Sequence, residues 1–310
     1  MKQKSITIIV PVFNEVDSLT ELHSQLVSVL EGRFPYEILY VNDGSYDGST
    51  EILNEISSQN SSTKAVHFHR NYGKAAALAE GFKLATGDYV MTMDADLQDD
   101  PKEIPNFVAK IEEGFDLVSG WKKDRKDPLG KTLPSKIFNV ITRIMTGVKI
   151  HDFNCGIKMY KNAVVKTVDV YGGRHRYIPA LAGQKNFEVS EIVVNHRPRI
   201  HGETKYGGGR LFHGFFDLLT ILFLNRYTQR PLHLFGFFGL FCLMISTGCE
   251  VYALYDKLAN GIPFQQHFAL IVFGAMVFVL GLWFFSIGLI AEMIVAGQQG
   301  KEDRVKNIIG

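Results

Sequence analysis

The chain has 310 residues and a nearly balanced charge, with 33 Lys and Arg against 32 Asp and Glu. This length is too great for one small domain and fits one large domain with an appendage. The charge balance argues against a general nucleic-acid-binding protein. Cys155, Cys242 and Cys249 show neither metal-ligand spacing nor a paired disulfide pattern, which fits a reducing compartment.

Strand and helix patterns alternate along the first 120 residues. The opening stretch "SITIIVPVF" predicts a buried strand rather than a signal peptide, because its apolar run is short and lacks a small-residue cleavage site. Apolar residues then recur at helical spacing from Leu19 to Leu30. Four more strands are predicted, each preceded by a helical pattern or a turn: "YEILYVND", "KAVHFHR", "DYVMTMD" and "DLVSG". This alternation predicts a mostly parallel sheet covered on both faces, with ligands bound beyond the carboxyl ends of its strands.

The pattern becomes less regular beyond Trp121. The segment "KKDRKDPLGK" is basic, and "SKIFNVITRIMTG" after it predicts an amphipathic helix. Two short strands are predicted in "CGIKMY" and "FEVSEIVVNHRP", and "HGETKYGGGR" predicts a basic, Gly-rich loop. Residues 209–225 fit either an interfacial helix that leads into a membrane or a short amphipathic core helix.

Two apolar segments, residues 233–256 and 268–297, are each long enough for the roughly 20 residues that a membrane span requires. Both are apolar on all faces, which disfavours a helical hairpin buried in a soluble protein. Basic residues flank the pair on both sides: Arg226, Arg230, Lys301, Arg304 and Lys306. The positive-inside rule therefore places both flanks, and the large N-terminal domain, in the cytoplasm.

Glycines occur throughout both predicted spans, at positions 236, 239, 248, 274 and 281. Small residues allow transmembrane helices to pack closely, either within one chain or between copies of it. A homo-oligomer is therefore one expectation, although glycines that face lipid are equally ordinary.

Four aspartates follow the fourth predicted strand, in "MDADLQDDP". At the end of a strand, Asp94 and Asp96 point to the same side. Two carboxylates directed at one point suit a divalent cation such as Mg²⁺, which is held by one or two carboxylates together with substrate phosphates. Gln98 offers a further, neutral oxygen. The alternative is a solvated acidic turn.

Polar residues also follow other predicted elements. Asp43 in "VNDGS" is placed to accept hydrogen bonds from a base or ribose, although such a sequence more often forms a simple turn. Lys74 opens a helix whose backbone N–H groups fit an anion, an ordinary N-terminal turn being equally favoured. Asp99 and Asp100 precede Pro101 and are predicted to cap the next helix.

The ordered motifs "IIVPVFNE", "VNDGSYDGS", "RNYGKAAALAEGF" and "MDADLQDDP" resemble those of family 2 glycosyltransferases, which have the GT-A fold. Further motifs extend the similarity to the polyprenyl- and dolichyl-phosphate sugar synthases: "GWKKDRKDP", "HDFNCGIKMY", "RHRYIPAL", "HGETKYG" and "RPLHLFG". That branch includes dolichyl-phosphate mannose synthases and bacterial undecaprenyl-phosphate glycosyltransferases. The similarity covers essentially the whole chain.

The resemblance implies a role for each residue at the site. The nucleotide sugar is expected to contact Pro11, Glu15, Asp43, Lys74 and Asp94. Asp94, Asp96 and Gln98 are expected to hold Mg²⁺ or Mn²⁺ against its diphosphate.

On the acceptor side, five basic residues match positions that bind phosphate: Lys122, Arg125, Arg176, Arg199 and Lys205. Lys122 stands where the family usually has an arginine, so it offers a point charge without a bidentate fork. Asp152 matches an aspartate described as a base or acceptor-site residue, and with Asp94 and Asp96 it completes the expected catalytic set.

The implied reaction is an inverting transfer of sugar from a UDP- or GDP-sugar to a polyisoprenyl phosphate at the cytoplasmic face of a membrane. The expected organisation is a GT-A domain at 1–208, an interfacial helix and linker at 209–230, two transmembrane helices at 231–300 and a cytoplasmic tail at 301–310. The sugar, the nucleotide and the isoprenoid stay open.

Two alternatives to this function are weighed. A processive polysaccharide synthase of the same superfamily carries a Gln-x-x-Arg-Trp motif, whereas neither Trp121 nor Trp283 follows an arginine. A non-catalytic protein that only binds nucleotide sugars is disfavoured by the intact "DADLQ" and the basic loops.

Overall fold

A computed structural model describes residues 3–123, 139–172, 174–195, 197 and 231–298 of the chain. Among the site residues predicted above, Arg125, Arg199 and Lys205 lie outside this described part, as does the segment 209–225. The chain forms two compact units, Met1–Leu219 and Thr220–Gly310.

The first unit is built on a seven-stranded sheet. Its strands are β1 (Ile6–Val12), β2 (Tyr36–Asn42), β3 (Thr63–His67), β4 (Tyr89–Thr92), β5 (Leu117–Trp121), β6 (Lys158–Lys161) and β7 (Val189–Val193). They lie in the order β3-β2-β1-β4-β6-β5-β7. Only β6 runs antiparallel to its neighbours, β4 and β5, so the prediction of a mostly parallel sheet is confirmed.

Helices connect these strands. They are α1 (Val16–Leu30), α2 (Ser49–Gln59), α3 (Lys74–Leu84), α4 (Ile104–Glu112), α5 (residues 139–146), α6 (Asn162–Thr167) and α7 (Ile178–Gln184). Short 3-10 turns precede α4 at Pro101–Glu103 and α7 at Arg174–Tyr177. Every strand and helix predicted before residue 121 is present.

The core consists of two apolar clusters. Ile8 of β1 belongs to the cluster that includes Leu22 of α1 and Phe107 of α4, and the adjacent Ile9 belongs to the cluster that includes Leu78 of α3. Successive side chains of a strand point to opposite faces, so both faces of β1 are buried. Each fully buried aliphatic side chain contributes about 1.5–3 kcal/mol. Burial on both faces explains why the first strand is apolar almost throughout.

Helix α5 is amphipathic, but its apolar side faces outward. Asn139 and Thr142 are buried, whereas the exposed face carries Val140, Ile141, Ile144 and Met145. Exposed apolar patches of this kind often mark protein–protein or membrane interaction sites.

The second unit contains two long helices, α8 (Pro231–Asn260) and α9 (Phe268–Gln298), with a 3-10 turn at Phe264–His267 between them. Both are long and apolar enough to cross a membrane, and only 11% of the most apolar part of each is buried. A core helix of a soluble protein would be mostly buried. The two helices are therefore candidate membrane spans by their length, composition and exposure.

Glycines of α9 lie against α8 at intervals of seven residues. A Cβ atom added at Gly274, Gly281 or Gly288 would lie 2.8 to 3.0 Å from an atom of α8. Gly239 of α8 faces Gly281, whereas the surroundings of Gly248 are open. The two helices therefore pack along a strip of small residues, as expected in a membrane, where close backbone approach supplies the packing energy.

Candidate active site

The carboxyl end of β2 fixes the loop that leads into α3. Asp43 is buried, and its carboxylate accepts hydrogen bonds from the backbone N–H groups of Tyr72 at 2.6 Å and Gly73 at 2.8 Å. Gly44 has a φ of +69°, and a Cβ there would lie 2.7 Å from the Cα of Arg70. Asp43 thus orders the loop before Lys74, and its carboxylate lies at the edge of the sheet where the nucleotide is expected.

The loop after β1 is joined to the loop after β2. The N–H of Asn14 donates to the hydroxyl of Ser45 at 3.0 Å, and the N–H of Glu15 donates to that of Ser49 at 3.2 Å. Pro11 lies opposite Val41 in the sheet. The fold therefore brings Pro11, Glu15 and Asp43 to one edge of the sheet, as the nucleotide-pocket prediction requires.

Lys74 is the first residue of α3, and its ammonium pairs with the carboxylate of Asp94. About a third of the Asp94 side chain is exposed, 33% against 28% for Lys74. Burial raises the pKa of Asp94, but the attraction of Lys74, Lys122 and Lys158 outweighs it and leaves the pKa well below the ordinary value. Asp94 is therefore ionised at neutral pH.

The two aspartates lie in a turn rather than on a strand, because β4 ends at Thr92. Asp96 is buried and accepts the N–H of Gln98 at 3.2 Å. Leu97, which lies between Asp96 and Gln98, has a φ of +60°, a left-handed conformation that is strained for a branched side chain. The sequence-based argument placed both side chains on one side because of strand alternation. That argument does not apply, since neither aspartate belongs to a strand. Asp94, Asp96 and Gln98 follow one another in this turn, and the convergence of their side chains on one cation stays a prediction.

Asp99 and Asp100 have separate roles. The carboxylate of Asp100 accepts the N–H of Lys102 at 3.0 Å, so it caps the following turn as predicted. The prediction that Asp99 also caps is wrong, because its carboxylate lies 2.8 Å from the ammonium of Lys122. Burial alone would lower the pKa of Lys122. The neighbouring Asp99 carboxylate raises it by more, so the pKa lies above its ordinary value and the ammonium stays charged.

The loop before β6 and the first residue of that strand contribute two residues that the sequence did not single out. Gly156 lies so close to Asp94 that a Cβ would be 2.6 Å from its Oδ2. Lys158 is 3% exposed, and its ammonium donates to the carbonyl oxygen of Cys155. Lysine in a strand predicts an exposed side chain, so nothing in the local sequence indicates this burial.

The acceptor-side residues lie on two further segments. Asp152 is buried, and its carboxylate accepts the N–H of Asn154 at 3.1 Å. Arg176 lies in the 3-10 turn before α7, next to His175. Burial, then the charges of Lys74 and Arg176, lower the pKa of His175 to about 3. His175 is thus a neutral imidazole within the electrostatic reach of Lys74, and it too was missed from the sequence.

The carboxylate oxygens of Asp94 and Asp96 are the hard donors that a divalent cation such as Mg²⁺ takes. A cation, the ammonium of Lys74, already lies against its carboxylate. Within the described residues no group of three or more His, Cys, Asp or Glu side chains is arranged to hold a metal ion. A metal at Asp94 and Asp96 would therefore take its remaining ligands from water and substrate phosphates, as Mg²⁺ commonly does.

Residues 7–169 match the family described as glycosyl transferase family 2. The chain belongs to this family. A dodecaprenyl-phosphate galacturonate synthase from Rhizobium johnstonii is 35% identical over 93% of this chain and 87% of its own length. An undecaprenyl-phosphate 4-deoxy-4-formamido-L-arabinose transferase from Pseudomonas savastanoi is also 35% identical, over 94% of this chain and 86% of its own.

Solved structures confirm the GT-A fold of this glycosyltransferase. Glucosyl-3-phosphoglycerate synthase from Mycobacterium tuberculosis, in complex with Mn²⁺, UDP-glucose and phosphoglyceric acid, superposes with a TM-score of 0.57. The match covers 71% of this chain and 80% of that one at 17% identity. The same enzyme in complex with Mg²⁺ and UDP gives a TM-score of 0.56, also at 17% identity, over 70% of this chain and 79% of that one.

An open cleft of about 460 Å³ lies beside α3 of the glycosyltransferase. Its lining includes Tyr72, Glu80 and Tyr171, and none of the predicted site residues. The cleft includes Tyr72, whose N–H donates to the carboxylate of Asp43, so it lies next to the loop that Asp43 orders.

Proposed function

We propose that this family 2 glycosyltransferase transfers a sugar from a nucleotide sugar to a polyisoprenyl phosphate at the cytoplasmic face of a membrane, with inversion at the anomeric carbon. Two relatives that match nearly the whole chain are named for transfer to dodecaprenyl phosphate and undecaprenyl phosphate. The observation that carries the proposal is the Asp94–Lys74 site in a chain that also has two membrane-length helices.

On the donor side, Asp94, Asp96 and Gln98 would hold Mg²⁺ or Mn²⁺ at the diphosphate, with the metal neutralising charge on the leaving group. The ionised state of Asp94 at neutral pH supports this, because no proton has to leave when a cation binds. The backbone N–H groups and the ammonium of Lys74 at the start of α3 offer a further positive surface for the phosphates. Pro11, Glu15 and Asp43 would line the nucleoside.

On the acceptor side, little general-base strength is needed. A phosphate monoester has a second pKa near 6, so it already carries most of its second charge at neutral pH. We therefore assign Asp152 an orienting role, consistent with its carboxylate already holding a turn. Arg176 and the sequence-predicted Arg125, Arg199 and Lys205 would attract the phosphate. Lys122 reaches a phosphate only by leaving Asp99, 2.8 Å away.

The exposed apolar face of α5 supports a site close to a lipid surface. A long isoprenoid remains in the bilayer, so its phosphate reaches the enzyme only there. Anchoring by α8 and α9 raises the effective concentration of acceptor at the site. The positive-inside pattern supports a cytoplasmic position for the first unit and for both chain ends.

The test is transfer of labelled sugar into a lipid-extractable product. Full-length protein in vesicles containing undecaprenyl phosphate would be given Mn²⁺ and a panel of UDP- and GDP-sugars. We expect Asp96→Asn to lower the rate by at least about 100-fold, the scale of losing one direct charge contact at the reacting centre. The matched control is Asp169→Asn, which changes an exposed aspartate and should be neutral.

Two results would contradict the proposal. Full activity of Asp96→Asn at saturating donor would remove the metal role. Binding of nucleotide sugars without transfer to any lipid phosphate would favour the non-catalytic alternative.

A further inference from the structure

Lys158 is a buried cation in the middle of the sheet. It lies on β6 opposite Thr92 of β4 and Ser119 of β5, and only 3% of the residue is exposed. Burying an ammonium costs several kcal/mol unless partners compensate for the lost water. Burial, above all other influences, lowers its pKa. Such a residue therefore needs partners that compensate for the lost water.

The charged groups that act on Lys158 belong to the active site. They are the carboxylates of Asp152 and Asp94 and the ammonium of Lys74. Two of these are acids of the expected catalytic set, on separate loops. Lys158 therefore lies within electrostatic reach of both of them.

Lys158 is connected to Asp94 through the Cys155–Gly156 turn, which contacts both residues. The ammonium of Lys158 donates to the carbonyl oxygen of Cys155, and the hydroxyl of Thr92 donates to that of Gly156 at 2.9 Å. Both carbonyls of the turn are thus held. The Cα of Gly156 packs against Asp94 so closely that a methyl group there would lie 2.6 Å from Oδ2.

We propose that Lys158 is a positioning residue, which holds this turn as the wall that orients the Asp94 carboxylate toward the cation and diphosphate of the donor. This inference rests on the proposed function. Partners that orient a metal ligand without touching the metal typically contribute 10- to 100-fold in affinity, about the effect expected here.

The test compares Lys158→Met with Lys161→Met in the full-length protein. Lys161 lies on the same strand, but its ammonium pairs with Asp116 at 2.9 Å, away from Asp94. Binding of Mn²⁺ with UDP, and separately with GDP, would be measured by electron paramagnetic resonance, alongside the melting temperature. We expect Lys158→Met to weaken Mn²⁺–nucleotide binding by about tenfold or more, with Lys161→Met close to wild type.

Each outcome decides the matter. Binding by Lys158→Met within twofold of wild type overturns the inference. If Lys158→Met does not fold, Thr92→Val removes the other bond to the same turn, and its unchanged affinity would overturn the inference while a loss would support it. If wild-type protein binds neither Mn²⁺–UDP nor Mn²⁺–GDP, the donor-binding half of the proposed function fails, and the inference fails with it.

Discussion

Three lysines surround the aspartate turn, and each has a different partner. Lys74 pairs with Asp94, Lys122 pairs with Asp99, and Lys158 holds the carbonyl of Cys155. Their combined field keeps Asp94 ionised despite burial. Under the proposed function, an anionic donor entering this site would meet ammonium groups that are already present.

The closest backbone approach near the nucleotide edge requires glycine at position 44. We expect Gly44→Ala to lower the melting temperature much more than Gly32→Ala. The two glycines have nearly the same φ, +69° and +71°, so each alanine pays the same left-handed strain of about 1–2 kcal/mol. Only at Gly44 does the new Cβ meet backbone, that of Arg70 and Asn71, and this overpacking adds about 1–3 kcal/mol.

Differential scanning fluorimetry of both variants, with and without Mn²⁺–UDP, measures the effect. Gly32→Ala has open space around its Cβ and isolates the conformational term. Equal melting temperatures for the two variants would show that the 70–71 loop moves aside without cost.

At the scale of elements, local pattern predicted most of the fold. Hydrophobic periodicity and the Gly and Pro residues at turns indicated β1 to β5 and the helices between them, because each element buries a face that its own residues determine. The antiparallel insertion of β6 between β4 and β5 could not be predicted, since it depends on a return of the chain after residue 123.

The same limit applies to the site. Asp94 and Asp96 stand out because they follow an apolar strand, which is a local signal. The pairing of Asp99 with Lys122 and the burial of Lys158 are set by neighbours distant in sequence. The preference of aspartate for helix N-termini therefore led to a wrong role for Asp99. The usual exposure of lysine in strands gave no reason to consider Lys158 as a site residue.

A partly buried glutamate ties three segments together at the opposite edge of the sheet. Glu37 of β2 accepts hydrogen bonds from the hydroxyls of Thr7 and Thr86, both at 2.6 Å, and from the N–H of Thr86 at 2.8 Å. Burial alone would raise the pKa of Glu37. The hydrogen bonds lower it by more, so the pKa lies below the ordinary 4.5. The folded state then binds fewer protons than the unfolded state, and the stabilisation is present above pH 4.5 and lost as pH falls through the folded pKa.

We expect Glu37→Gln to be less stable than wild type at pH 7, by about 1–3 kcal/mol for hydrogen bonds to a charged group. The difference should shrink on acidification below the ordinary glutamate pKa. Melting temperatures across this range measure it, and Glu51→Gln on the exposed side of α2 serves as the control. A gap between Glu37→Gln and wild type that is constant with pH would contradict the assigned ionisation.

At the scale of the whole molecule, a polar chemical site and an apolar anchor are parts of one chain. The first unit carries nearly all the charged residues described, and α8 and α9 carry few. Each methylene buried in a bilayer is worth about 0.8 kcal/mol, so a long polyisoprenyl phosphate does not leave the membrane. Under the proposed function, enzyme and acceptor would therefore meet in two dimensions, and only the donor would arrive from water.

Confinement predicts how the rate depends on lipid. With enzyme and undecaprenyl phosphate in the same vesicles, the rate should follow the mole fraction of acceptor in the bilayer. Adding inert phospholipid at constant total acceptor should then lower the rate in proportion to the dilution. The measurement is initial transfer of labelled sugar at several lipid-to-acceptor ratios.

A short-chain, water-soluble isoprenyl phosphate is the matched control, because it has the same phosphate and partitions weakly into the bilayer. Its transfer should depend on bulk concentration and respond little to added phospholipid. If undecaprenyl phosphate behaved in the same way, the anchor would have no part in acceptor delivery, since a confined acceptor has no other route to the phosphate-binding side of the site. Proportional loss with the long acceptor alone would connect α8 and α9 to the chemistry at Asp94.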